Sequence, residues 1–175
     1  MDAERLIHQM KRDHDRVLKE ITALEEALGT GAGVPADSIP EIRALLDLLE
    51  EQFRTHMMAE DEVLYPALMR ALPASMGSVE PLHDEHGELR LMLERLCVTF
   101  SEPPGKARDE QIAVQVHDLA DLLRIHLRKE ESLVFGVAAR LLSADVIESV
   151  MTRMTTAAPA NRPATDLTRT KGTSQ

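Results

Sequence analysis

Two segments of the chain set a histidine and a glutamate four residues apart, His56-Met-Met-Ala-Glu60 and His126-Leu-Arg-Lys-Glu130. On an α-helix, positions i and i+4 lie on one face about one turn apart, so each pair can reach a common point. His83 and His86, three residues apart, can do the same, and His14 stands on an earlier segment. Imidazole nitrogens and carboxylate oxygens together form a hard-to-borderline donor set that suits first-row metals. A carboxylate has two oxygens and can bridge two cations, which an imidazole cannot. Two acids and five histidines therefore suit a pair of metals. Cys97 is the single cysteine and falls outside this set, which argues against a structural zinc site or an iron–sulfur cluster.

Each piece has a plainer reading when taken alone. One H-x-x-x-E is commonly a surface pair, a lone His14 is commonly a hydrogen-bonded core histidine, and His83 with His86 can cap or staple a helix start. Register decides between these readings. His14, His56, Glu60, His83, His86, His126 and Glu130 all fall on apolar stripes, whereas His8 and His117 have charged helical neighbours. Burying an unpaired carboxylate costs several kcal/mol even after relaxation. The stripes offer no Lys or Arg to neutralise Glu60 and Glu130, and a multivalent cation would do so.

The elements that must position these groups are helices. Aromatic residues are scarce and Trp is absent, while Leu, Ala, Glu, Arg and Met abound, which favours helix over strand. Apolar residues stepping by three and four predict a first helix over about Asp2–Leu28, including Ile7, Met10 and Val17, stopped at Gly29. A second starts near Pro40, with Leu45, Leu49, Phe53, Val63 and Ala67 on its stripe, and Pro66 should kink or restart it. A turn at Pro73–Gly77 precedes a third, about Val79–Phe100. After Pro103-Pro-Gly105 a fourth spans about Ala107–Leu142, with Ile112, Leu119, Leu133, Val137 and Leu141 on one face. A short fifth helix follows Ser143, carrying Ile147 and Val150. Four long helices with short connections imply an all-α, antiparallel up-down-up-down four-helix bundle over 1–142. An accessory helix over 143–158 and a disordered tail over 159–175 complete the expected division. A weak internal repeat supports two similar hairpins: His56–Tyr65 echoes His126–Phe135 at an offset of 70, and His14 and His83 are 69 apart.

At 175 residues the chain suits one domain with one core. Its net charge of −10 argues against nucleic acid and against an anionic membrane surface as partners. No stretch has the signature of a signal peptide or the length of a membrane span, so the chain reads as soluble and cytoplasmic.

The segments His56–Pro66 and His126–Glu131, with His83-Asp-Glu-His86 between them, resemble the hemerythrin/HHE cation-binding family, and the resemblance covers about residues 5–140. It implies two iron ions joined by two carboxylates and an oxo or hydroxo group. His83, His86 and His126 would hold one iron and His14 and His56 the other, with Glu60 and Glu130 as the bridges. The spacing of His83 and His86 departs from the four-residue spacing of the oxygen carriers, and on the resemblance alone His83 is the safer ligand. Tyr65, one turn beyond Glu60, either packs or reaches toward the metals, and packing is the favoured reading. A small diatomic or a peroxide is the implied ligand. The alternatives are an iron- or oxygen-sensing module without turnover, or an iron-handling protein for the repair of iron centres. A ferritin-like oxidase would need two Glu-x-x-His pairs, and Glu80-Pro-Leu-His83 alone fits.

Overall fold

The computed structural model describes residues 2–29, 33–73 and 79–157. The core of the expected Pro73–Gly77 turn and the whole expected tail lie outside the described residues. Among the described residues the chain is all-α and has no strand. α1 (Asp2–Leu28) ends as expected at Gly29, whose φ of 65° lies in the left-handed region that a glycine adopts without strain. α2 (Ile39–Gln52) carries Pro40 in its first turn, where the missing N–H has no helical partner to lose. It runs through two π turns, Phe53–Met57 and Glu60–Leu64, into α3 (Tyr65–Ala71). Pro66 sits in the first turn of α3, so the helix restarts there. α4 (Glu80–Ser101) and α5 (Lys106–Lys129) follow, and a third π turn, Glu130–Val134, leads to α6 (Phe135–Leu141). α7 (Ala144–Ala157) is the expected fifth helix.

α1 packs on α2 and α5, and α4 packs on α5 and α2, so the contacts close a cycle around a common interior. That interior is divided. One apolar cluster contains Val17, Leu49, Phe53, Leu93, Leu119 and Leu123. A second contains Leu6, Met10, Leu64, Leu68, Val134 and Phe135. His14, His86 and Glu130 fall between the two in sequence along their helices, His56, Glu60 and His126 lie within a residue of that boundary, and all six are buried.

The π turns move the stripe. The Tyr65 N–H bonds to the Glu60 carbonyl and the Phe135 N–H to the Glu130 carbonyl, five residues back in each case. Each turn therefore takes in one more residue than an α turn. Downstream of Glu130 the buried residues include Val134, Phe135 and Ala138, and Leu133, expected inside, is 61% exposed. Leu141, also expected inside, is exposed. Leu64 and Leu68 are likewise fully buried beyond Glu60, where Val63, expected inside, is only partly buried, while Ala67 is buried as expected. Smaller shifts place Leu6 inward of Ile7 and Leu46 inward of Leu45.

Candidate metal centre

The buried polar layer is built from four helical segments. His14 comes from α1, His56 and Glu60 from the two π turns after α2, and His86 from α4. His126 lies at the end of α5, and Glu130 opens the following π turn. Its geometry is reciprocal. The Glu60 oxygens lie 3.2 Å from His56 Nε2 and 3.5 Å from His86 Nε2. Glu130 Oε2 lies 3.5 Å from His126 Nε2 and 3.2 Å from His14 Nε2. Each acid thus sits between the histidine of its own helical segment and one from the other helical hairpin.

Three of the four buried rings are held from outside by an acid. His86 Nδ1 donates to Asp61 Oδ1 at 2.7 Å, His126 Nδ1 to Glu85 Oε2 at 3.0 Å, and His14 Nδ1 to Glu131 Oε1 at 3.1 Å. A carboxylate only accepts, so the hydrogen-bond network assigns the proton to Nδ1 and, in a neutral ring, leaves a lone pair on the inward Nε2. His86 Nε2 and His126 Nε2 face each other at 2.9 Å. Two lone pairs at that distance repel unless a proton or a cation lies between them. Outer acids of this kind orient histidines on metals and raise their basicity. Asp61 is tied in turn to Arg90 at 3.0 and 3.1 Å, and Glu85 to Lys129.

A metal fits this donor set. His14 Nε2, both ring nitrogens of His56, both oxygens of Glu60 and Glu130 Oε2 are buried without a hydrogen-bond partner. Such atoms are rare in a folded core, because each costs the full desolvation of the group. Burial drives the His56 ring down to about 3, and the neighbouring His14 acts in the same direction, so His56 is neutral and free to donate its lone pair. Burial, followed by the charge of Glu130, pushes Glu60 well above the carboxylate range. Burial pushes Glu130 the same way, but His14, whose Nε2 lies 3.2 Å away, and His126 outweigh it and hold Glu130 low. Two acids this close without a cation cannot both ionise. Among the described residues, two groups have donor atoms within 4.8 Å of one another: His14, His56, Glu60 and Glu130, and His86, His126 and Glu130. Glu130 belongs to both.

His83 lies apart. Its side chain is 56% exposed and its Nδ1 contacts Asp61 Oδ1 at 2.8 Å. At about 100° per residue, it stands roughly 100° from the centre of the α4 stripe that runs from Leu82 through His86 to Phe100. The repeat partner of His14 is accordingly His86, and the offset is 86 − 14 = 72 rather than 69. His117, 73% exposed, faces solvent as its neighbours suggested. Tyr65 both packs and binds: its ring stacks on His86 at 5.3 Å and its hydroxyl donates to Glu130. Burial and then the two acids push that hydroxyl far up, so it stays protonated. Phe135, its counterpart in the repeat, packs on His14 at 5.3 Å. Asp61, Glu85 and Glu131 escaped the sequence reading, although each adjoins a residue of the layer. Adjacency was the available signal.

A family model described as the hemerythrin HHE cation binding domain matches residues 5–138, which takes in every residue of the layer. The chain belongs to the hemerythrin HHE family. Hemerythrin domains bind non-haem iron, and the buried His/Glu set offers ligand groups for it. Among curated relatives, the iron-sulfur cluster repair protein YtfE of Escherichia coli (strain K12 / DH10B) is 28% identical over 141 residues, 76% of this chain and 64% of that protein. The DNA nickase of Nostoc sp. (strain PCC 7120 / SAG 25.82 / UTEX 2576) is 27% identical over 140 residues, 79% of this chain and 35% of that protein. The hemerythrin-like chain thus spans about a third of one relative and just under two thirds of the other. No helix among the described residues is long and apolar enough to cross a membrane.

Proposed function

We propose that this chain is a di-iron protein that binds or reacts with a small ligand, O2, NO or a peroxide, inside an antiparallel four-helix bundle over residues 1–142. Antiparallel packing is supported by crossed contacts: His14 meets Glu131 while Glu25 meets Arg124, and Asp61 meets His86 while Arg43 lies over Phe100. His14 and His56 would hold one iron, and His86 and His126 the other. Glu60 and Glu130 would bridge them, together with an oxo or hydroxo group. His83 is left out of this set because its ring rests on Asp61 at the surface.

The observation that carries the reading is the pair of Nε2 lone pairs at 2.9 Å beside six buried, unpartnered donor atoms. An iron pair there would supply an open coordination position for the small ligand. The chain itself does the rest. Asp61, Glu85 and Glu131 fix the rings, and the two apolar clusters hold bulk water away. The Tyr65 hydroxyl keeps its own proton and directs it at Glu130, so that a hydrogen-bond donor is held at the centre. A second reading, iron handling in the repair of iron centres, is favoured by the likeness to the YtfE repair protein. The net charge of −10 speaks against a nucleic-acid role.

The test is the iron content and the ultraviolet–visible spectrum of iron-loaded protein, reduced without oxygen and then opened to air. Two irons per chain and an oxygenated band that disappears under argon would mean reversible binding. Immediate conversion to a stable diferric spectrum would mean peroxide or NO chemistry, or redox sensing. Iron passing to an apo iron–sulfur acceptor would favour repair. No iron-dependent absorption would overturn the di-iron reading.

A further inference from the structure

α7 begins at Ala144, beyond the span that the hemerythrin family model matches, which ends at residue 138. It packs along α1 and against both π turns after α2, the turns that carry His56 and Glu60. Its inward residues Ile147 and Val150 are 3% and 0% exposed and join Met10, Ala59 and Leu64 in the second apolar cluster. Met10 lies one turn before His14, and Ala59 adjoins Glu60. At the rim, Arg153 donates to the Glu62 carboxylate. His56 is buried, and its Nδ1 meets neither solvent nor a hydrogen-bond partner.

The other half of the centre is finished differently. The outer nitrogens of His86 and His126 rest on Asp61 and Glu85, and those acids continue to the part-exposed Arg90 and Lys129. The His86–His126 side of the centre is therefore sealed by an ionic network; on the other side His14 rests on Glu131, and it is around His56 that an apolar helix takes the place of an outer acid. Charged and strongly polar groups do not cross an apolar wall without a desolvation cost, while small apolar molecules do.

We propose that α7 is the wall of the centre on its His56 side, and that Ile147 and Val150 decide what reaches it: small apolar molecules pass, and bulk water and ionic chelators are held out. As a statement about access to iron, this rests on the di-iron reading. As a statement about what shields the π turns, it does not. The role is one of positioning and access, with no contact to the reacting atoms required.

Two measurements test it, on the full chain. In the first, the iron(II)-loaded protein is mixed with an excess of an anionic iron(II) chelator and the release rate is followed. Ile147→Ala/Val150→Ala should release iron about tenfold faster or more, as local opening without global unfolding allows. Leu96→Ala, a comparable truncation in the other apolar cluster, should stay within about twofold of wild type, and so should the conservative Val150→Ile. In the second, amide hydrogen exchange of the metal-free chain is read over residues 53–64. The double variant should exchange about tenfold faster there, and the Leu96→Ala control should not. If the double variant does not fold, Val150→Ala alone carries both measurements. Equal release and exchange in wild type and α7 variants overturns the proposal, as does an equal rise in the Leu96→Ala control. If wild type binds no iron, the di-iron reading fails, and the exchange measurement still decides whether α7 is the wall.

Discussion

Glu60→Leu should make the metal-free protein more stable and at the same time remove its response to iron. Glu60 is fully buried, and neither of its oxygens has a hydrogen-bond partner. A buried polar group left unsatisfied costs about 1–3 kcal/mol, and replacing a buried ionic group by an apolar side chain of similar size is often stabilising by ~1–4 kcal/mol. The neighbouring His56 is driven neutral by its burial, down to about 3, so it needs no counter-charge from Glu60 near neutral pH. A gain of about 2 kcal/mol is the central expectation, which in a chain of this size raises Tm by roughly 4–8 °C. Iron acts on the wild type in the opposite sense. Ligand at a thousandfold excess over Kd adds about 4 kcal/mol, or roughly 8–16 °C. Circular dichroism melts in chelator and in anaerobic iron(II) should therefore cross: the variant melts higher than wild type in chelator and lower in iron. A variant that melts more than about 4 °C below wild type in chelator would mean that the carboxylate stabilises the metal-free fold. An undiminished response to iron would mean that Glu60 is no ligand.

Three further expectations follow from the same geometry. His86→Ala should lose iron, while His83→Ala and His117→Ala should retain the wild-type iron content and visible spectrum, as measured by metal analysis and absorbance. Val134→Ala, at a site 1% exposed, should cost about 2 kcal/mol in urea unfolding, whereas Leu133→Ala, at a site 61% exposed, should stay within about 0.5 kcal/mol. The reverse order would place the stripe in the unbroken α register. Cys97 is raised by burial, then by Glu50, from 9.0 to about 11, so its thiolate forms only as pH approaches that value. At pH 8 its alkylation by iodoacetamide should be about 100-fold slower than that of an ordinary thiol, with the rate still climbing at pH 10.

Much of the molecule is legible in local spacing. The limits of α1, the restart at Pro66 and the start of α2 at Pro40 follow from steric rules that act within a few residues of each glycine or proline. Six of the seven expected site residues are gathered in one buried layer, because a titratable side chain on an apolar stripe is carried inward with it.

Other features needed the packed molecule. The stripe beyond Glu60 and Glu130 could not be read, because Val63 stands beside Leu64 and Leu133 beside Val134, so both registers present apolar residues to the core. The five-residue hydrogen bonds of the π turns, formed in the packed helices, select the second residue of each pair. The choice between His83 and His86 depends on where α4 turns its stripe, a rotation that neighbouring helices impose. Asp61, Glu85 and Glu131 matter through contacts 25, 41 and 117 residues away in the chain, and no periodicity reaches that far. The seat of α7 against the His56 side is of the same kind: its apolar face was visible in the sequence, but the surface it covers exists only once the other helices have assembled.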